Sequence, residues 1–194
     1  MKSPRRSSAP TIVDPSDDLP SRVPRLPRLP IRAEASGRQF QLVSHSPTQT
    51  RRFGERLGRL LQGGEVFAIC GDLGTGKTCF IQGLAKGLGV RDPYVASPTF
   101  IFIQKYAARL ALYHVDLYRI DRASDAEGLG LLDCFDQKSV VAVEWAERAQ
   151  AFLPTLRIPV EIKNCGGSKR RLLFHVPAEF EYLIKKMPSI SDRM

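Results

Sequence analysis

The stretch Gly71-Asp72-Leu73-Gly74-Thr75-Gly76-Lys77-Thr78 meets the pattern G-x-x-x-x-G-K-[ST] at every fixed position, and its reading decides the fold. The apolar run Val66-Phe67-Ala68-Ile69-Cys70 before it reads as a buried strand, and Lys77 to Leu88 after it reads as a helix. In that order the loop is a phosphate cradle. Glycines at 71, 74 and 76 admit positive φ, so successive N–H groups turn toward phosphate oxygens at the positive end of the helix. Gly71, Leu73, Gly74, Thr75, Gly76, Lys77 and Thr78 are therefore the expected nucleotide-binding residues of the loop. Lys77 would bridge the outer phosphates, and Thr78 would place its hydroxyl on Mg²⁺, which neutralises charge on the β and γ phosphates.

Working outward, Phe40 and Leu42 suggest a strand, and Ser46-Pro47 reads as the N-cap and first position of a helix that ends at Gly63-Gly64. Beyond the loop, Phe80, Ile81, Leu84, Ala85 and Leu88 share one helical face, closed by Gly89 as C-terminal cap. Thr99 to Tyr106 and Leu110 to Val115 read as an antiparallel hairpin beside the core sheet. Val140 to Val143 is a second fully apolar strand. Ile158 to Lys163 and Arg171 to Val176 form a later pair joined at Gly166-Gly167, and a helix from Ala178 to Lys186 follows. No internal repeat is visible. The fold class is α/β: a P-loop NTPase-like three-layer sandwich, its mixed β-sheet flanked by helices, with nucleotide at the strand ends.

Composition agrees with one domain. Its 194 residues, 43% apolar, suffice for a core of ordinary size. No apolar run nears the roughly 20 residues of a membrane span, and no secretory signal opens the chain, so a soluble cytoplasmic protein is expected. Cys70, Cys79, Cys134 and Cys165 lack zinc or redox spacing and read as reduced thiols. Cys79, at the helix start, is expected as a small packing residue, although that position favours a lowered thiol pKa. Residues 1–38 differ from the rest: they hold 7 of the 14 prolines and eight basic against four acidic residues. That reads as an extended or disordered tail of net charge +4, with the ATPase domain expected over 39–194 and carrying +5. Such a tail suits a solvated appendage, or contact with RNA or an acidic partner. Asp14, Asp17 and Asp18 argue against an acid-poor transit peptide.

A phosphate loop hydrolyses nothing without a carboxylate to hold the metal shell or orient water. Glu144, directly after the strand Val140 to Val143, is expected at the same edge of the sheet as the loop. Asp116, after Leu112-Tyr113-His114-Val115, has two readings: a metal-shell or nucleophile-positioning group, or the cap of a turn paired with Arg119. His114 lies on the same strand face one residue pair deeper and reads as a hydrogen-bonded packing residue rather than a base. Ser97-Pro98-Thr99-Phe100 is by itself a Pro turn entering a strand, but its place suits a γ-phosphate sensor, with Thr99 sensing. Trp145, the single tryptophan, reads as core filler or as a stacking surface.

Taken together, Gly71 to Thr78, Ser97-Pro98-Thr99-Phe100, Tyr113-His114-Val115-Asp116-Leu117-Tyr118-Arg119 and Val143-Glu144-Trp145-Ala146 make the chain resemble the TsaE (YjeE) family over about residues 39 to 183. These are small P-loop ATPases of bacterial tRNA threonylcarbamoyladenosine (t6A) biosynthesis. The resemblance implies ATP and Mg²⁺ as cofactors and the TsaB-TsaD heterodimer as partner. That dimer modifies adenosine 37 of tRNAs reading ANN codons, so tRNA is met only indirectly, and hydrolysis resets the complex between turnovers. It further implies Lys77 on phosphate, Thr78 and Glu144 on Mg²⁺, Asp116 and Thr99 as switch residues, and a functional Trp145. On the same footing Lys77, Asp116 and Glu144 are the expected catalytic residues, and the Ser46 to Thr50 segment and the Gly167 turn are expected near the base.

Two departures stand out. Cys79 occupies a position where many members carry a second Thr, and the tail has no counterpart in their short N-termini. Two other functions fit the loop: a small phosphotransferase, and a nucleotide-gated interaction module in which ATP orders residues 97–100. The phosphotransferase is disfavoured because neither a long Arg-rich lid nor an acceptor-binding domain is evident. Direct RNA binding lacks a base-stacking motif.

Overall fold

The computed structural model describes residues 37–92 and 94–191. The Pro/Arg-rich tail expected over 1–38 lies, up to residue 36, outside the described residues. The elements in chain order are β1 (Arg38–Ser44), α1 (Pro47–Gly58), β2 (Val66–Cys70), α2 (Lys77–Leu88), β3 (Ile103–Tyr106), β4 (Ala111–Asp116), β5 (Ser139–Glu144), β6 (Ile158–Asn164), β7 (Arg170–Val176) and α3 (Glu181–Ser191). They form one seven-stranded mixed sheet ordered β1-β7-β6-β2-β5-β4-β3. The centre is parallel, β2 lying between β5 and β6 with β4 beside β5, whereas β1, β7 and β3 pair antiparallel toward the edges.

Strands covered on both faces need continuous apolar runs, and β2 and β5 have them. Phe67, Ile69, Val140 and Ala142 face a core with Phe53, Leu57, Phe80, Leu84 and Leu183 from the three helices. Val66, Ala68, Val141 and Val143 face a second core with Leu117, Ile120, Leu131 and Ala149. That second layer consists of 3-10 turns (Ala123–Leu129, Leu131–Cys134 and Ala146–Phe152, the last kinked at Ala149) rather than α-helices.

Helix α2 runs from Lys77 to Leu88 as its apolar face predicts, and Gly89 caps it at φ +87°. Helix α1 starts as predicted, the Ser46 hydroxyl accepting the Gln49 N–H at 3.1 Å, but it ends at Gly58 rather than Gly63-Gly64. The Leu60 N–H tightens onto the Leu57 carbonyl, and the fully buried Glu65 carboxylate takes the Gln62 and Gly63 N–H groups at 2.6 and 2.9 Å. A side chain thus replaces the carbonyls a longer helix would supply. Tyr182 of α3 donates its hydroxyl to the same carboxylate, and burial together with that bond pushes its phenol pKa up.

The run from Thr99 is a strand only from Ile103. Ile101 and Phe102 donate to the Pro98 carbonyl at 3.0 and 2.7 Å, forming a turn in which Phe102 adopts φ +61°. The final helix opens as a 3-10 turn, Ala178–Phe180, and α3 continues past Lys186 to Ser191.

Candidate functional site

The cradle is built where β2 ends and α2 begins. Gly71, Gly74 and Gly76 have φ of +145°, +75° and +97°. At Gly71 a Cβ would also lie 2.4 Å from the Ile162 carbonyl oxygen of β6, so no side chain fits there. Thr75 is buried, its hydroxyl donating to the Asp72 carbonyl at 2.8 Å and tightening the turn, while Leu73 projects into solvent. Arg170, which opens β7, braces the loop from outside: its Nε donates to the Thr75 carbonyl at 3.2 Å and a terminal nitrogen to the Gly74 carbonyl at 3.4 Å. Another of its bonds, 2.7 Å to the Gly167 carbonyl, ties the β6–β7 turn to the cradle.

Lys77 points back along the loop. Its Nζ donates to the Gly71 and Asp72 carbonyls at 2.8 and 3.0 Å and lies 3.7 Å from the centre of the Trp145 ring. Burial pulls its pKa below the usual lysine value, while the negative charges of Glu144, Glu147 and Asp116 oppose that pull.

Strand register gathers the carboxylates. Glu144 is opposite Ile69 on one side and Asp116 on the other, so three strands end at one level beside the loop. Period-2 alternation turns Glu144, Asp116 and His114 toward the face that α2 covers. The Thr78 hydroxyl, 66 residues from Glu144 in the chain, donates to its Oε1 at 2.7 Å. Asp116 closes a second cluster: Ser97 and Thr99 both donate hydroxyls to Oδ2, the latter at 2.7 Å, and the Tyr118 N–H donates to Oδ1 at 2.9 Å. Its turn-capping partner is thus a backbone amide. Arg119 is exposed and lies against the Phe100 ring at 5.1 Å.

Trp145 is half-buried rather than core filler. It takes a left-handed backbone, φ +58°, and its ring contacts both Lys77 and the Tyr118 ring, with Arg148 5.6 Å away. Arg148 is buried and donates to the Ile120 carbonyl at 2.7 Å. The Cys79 thiol donates to the Pro47 carbonyl at 3.1 Å, which joins the start of α1 to the start of α2, and burial pushes its pKa up rather than down. His114 is fully buried with Nε2 2.9 Å from Glu144 Oε1, and its Nδ1 has no partner.

Four of these contacts are not legible in the chain: the Arg170 brace, the Glu147 charge near Lys77, the bond of Ser97 to Asp116 and that of His114 to Glu144. Each joins residues whose nearness is set by sheet order, and no spacing rule encodes it. The fit to a magnesium nucleotide is good on the geometry. Gly76 caps α2 with no side-chain bond to its first-turn N–H groups, and Thr78 and Glu144 present paired hard oxygen donors.

Strand, glycine cradle, helix and carboxylate-bearing neighbour strand define a P-loop nucleotide-binding protein. Residues 44–172 match the family model described as "Threonylcarbamoyl adenosine biosynthesis protein TsaE". The chain belongs to the TsaE family. It is 38% identical over 133 residues to the tRNA threonylcarbamoyladenosine biosynthesis protein TsaE of Treponema pallidum, spanning 69% of this chain and 98% of that protein. The TsaE protein of Bacillus subtilis is 36% identical over 138 residues, 71% of this chain and 85% of its own length. The crystal structure of Bacillus subtilis YdiB superposes with a TM-score of 0.68 at 31% identity, covering 80% of this chain and 97% of that one.

Proposed function

We propose that the protein is a Mg²⁺-dependent ATPase of t6A biosynthesis, slow alone and stimulated by a TsaB-TsaD heterodimer, whose hydrolysis resets that complex between turnovers. The observation that carries this reading is the Thr78 hydroxyl to Glu144 Oε1 bond, 2.7 Å across the join of loop and sheet, in a chain of the TsaE family. In this reading the cradle of Gly71, Leu73, Gly74, Thr75, Gly76, Lys77 and Thr78 binds the phosphates, and Lys77 places a positive charge on the outer ones. Thr78 and Glu144 would hold Mg²⁺, which when bound neutralises charge on the β and γ phosphates. Asp116 and Thr99 act as the switch: one carboxylate gathers Ser97, Thr99 and the Tyr118 amide, so any group competing for it reorders the 97–102 turn. Trp145 offers its ring face to the Lys77 ammonium, a cation–π contact that helps hold the lysine at the cradle. Contact with tRNA is indirect, through the complex.

The same Asp116 cluster also favours a second reading, a nucleotide-gated interaction module in which hydrolysis is incidental. Steady-state ATP hydrolysis with and without the TsaB-TsaD dimer separates the two, with Lys77→Ala as control. Stimulation that Lys77→Ala abolishes is expected. An absence of stimulation despite complex formation would favour the module, and parent-like hydrolysis by Lys77→Ala would overturn the loop assignment.

A further inference from the structure

His114 is the one fully buried histidine among the described residues, and its surroundings do not explain it as packing. It sits mid-strand in β4, between Gln104 of β3 and Ala142 of β5 in the register. One ring nitrogen meets Glu144 Oε1 at 2.9 Å, and Nδ1 meets nothing. A leucine or phenylalanine would fill that site without burying an orphaned nitrogen, so packing alone gives no reason for an imidazole. An ionised carboxylate only accepts, so Nε2 carries the proton and donates. Glu144 Oε1 then receives two donors from opposite directions in the chain: the Thr78 hydroxyl at 2.7 Å from α2 and the His114 Nε2–H from β4.

We infer that His114 is the positioning residue for Glu144: its Nε2–H, together with the Thr78 hydroxyl, pins Oε1 and so fixes how the carboxylate is presented to the metal shell. The inference rests on the proposed role of Thr78 and Glu144 in holding Mg²⁺. His114 itself touches neither nucleotide nor metal in this account. Its contribution is orientational, since a ligand carboxylate held by a second group loses less freedom when the ion binds.

The test uses the full chain with His114→Leu, which removes the donor, and His114→Gln, whose amide nitrogen reaches to the place of Nε2. Three quantities are measured: the Mg²⁺ concentration that half-saturates ATP hydrolysis, the Mg²⁺-dependent tightening of binding of a non-hydrolysable ATP analogue, and the thermal midpoint. His114→Leu is expected to raise the half-saturating Mg²⁺ by about tenfold or more. Its analogue affinity in EDTA and its thermal midpoint should stay near the parent's, and His114→Gln should recover most of the Mg²⁺ response. A parent-like Mg²⁺ requirement in His114→Leu would overturn the inference. So would a loss in His114→Gln as large as in His114→Leu. If His114→Leu does not fold, His114→Gln against the shorter His114→Asn decides, and equal Mg²⁺ requirements in those two would overturn it. Glu144→Ala is run alongside: an undiminished Mg²⁺ response there sinks the metal-site reading itself, whereas a response lost in Glu144→Ala but intact in His114→Leu sinks only the role of His114.

Discussion

Asp116 uses both carboxylate oxygens inside a small network, Oδ2 on the Ser97 and Thr99 hydroxyls and Oδ1 on the Tyr118 amide. Removing it releases the 97–102 turn and leaves the glycine cradle in place, and of the three carboxylate charges that act on Lys77 it takes away the one that follows Glu144 and Glu147 in strength. Asp116→Ala should therefore lower the partner-stimulated rate by about 10²-fold while ATP affinity changes little. Stimulated steady-state turnover and a nucleotide titration check this, and an unchanged stimulated rate removes Asp116 from the switch. Phe102 and Trp145, the two non-glycine residues with positive φ among those described, flank this same region. Left-handed backbone at bulky residues costs about 1–3 kcal/mol each and persists where surrounding contacts hold it. Here the holding contacts are the Pro98 and Asp116 backbone bonds of Phe102 and the Lys77 and Tyr118 contacts of the Trp145 ring.

At the scale of elements, α1 and α2 approach backbone to backbone. Gly54 and Gly58 of α1 face Gly83 and Gly87 of α2, and a Cβ on Gly87 would lie 2.1 Å from the Glu55 carbonyl oxygen. Gly87→Ala gains about 1 kcal/mol of helix propensity. The backbone overlap nevertheless makes it destabilising overall, by about 2 kcal/mol or more. The urea midpoint measures this, and a parent-like or raised midpoint would refute the tight crossing. Across the same pair, Lys86 binds Glu55 at 2.9 Å, and that bond holds the Glu55 carboxyl below its usual pKa. Because the shift is downward, the stabilisation is present above the unfolded pKa of a glutamate and fades as pH falls through the lowered folded value. Glu55→Gln should cost less than about 1 kcal/mol at neutral pH and nothing in acid, read from urea midpoints at both pH values.

For the molecule as a whole, the sheet is closed on one face by helices and on the other by 3-10 turns, and both cores lie within the described residues. No described helix is long and apolar enough to cross a membrane. With its core so enclosed, the domain should not need the basic tail to fold. Deleting residues 1–36 is expected to leave the thermal midpoint within a few degrees of the parent and unstimulated hydrolysis intact. A collapse of either would make the tail part of the domain. Partner-stimulated turnover of the same variant reports whether the tail's positive charge contributes to docking.

Local chemistry made much of this protein legible in one dimension. The spacing Gly71 to Lys77-Thr78 carries the phosphate loop, the apolar runs at 66–70 and 140–143 carry the central parallel strands, and Ser46-Pro47 and Gly89 carry helix ends, because each depends on neighbours within a few residues. The α1 terminus and the strand start at Ile103 depart from the local pattern for the complementary reason. Glu65 and the Pro98 carbonyl captured backbone N–H groups that propensity assigns to regular elements. The site itself is decided mainly by the order of strands. Thr78, His114, Glu144, Asp116 and Arg170 lie on four different segments, His114 and Asp116 sharing β4, and only a sheet that sets β2 beside β5, and β5 beside β4, brings the first four together. Pair distances of that kind follow from tertiary packing, which no local pattern of side chains encodes.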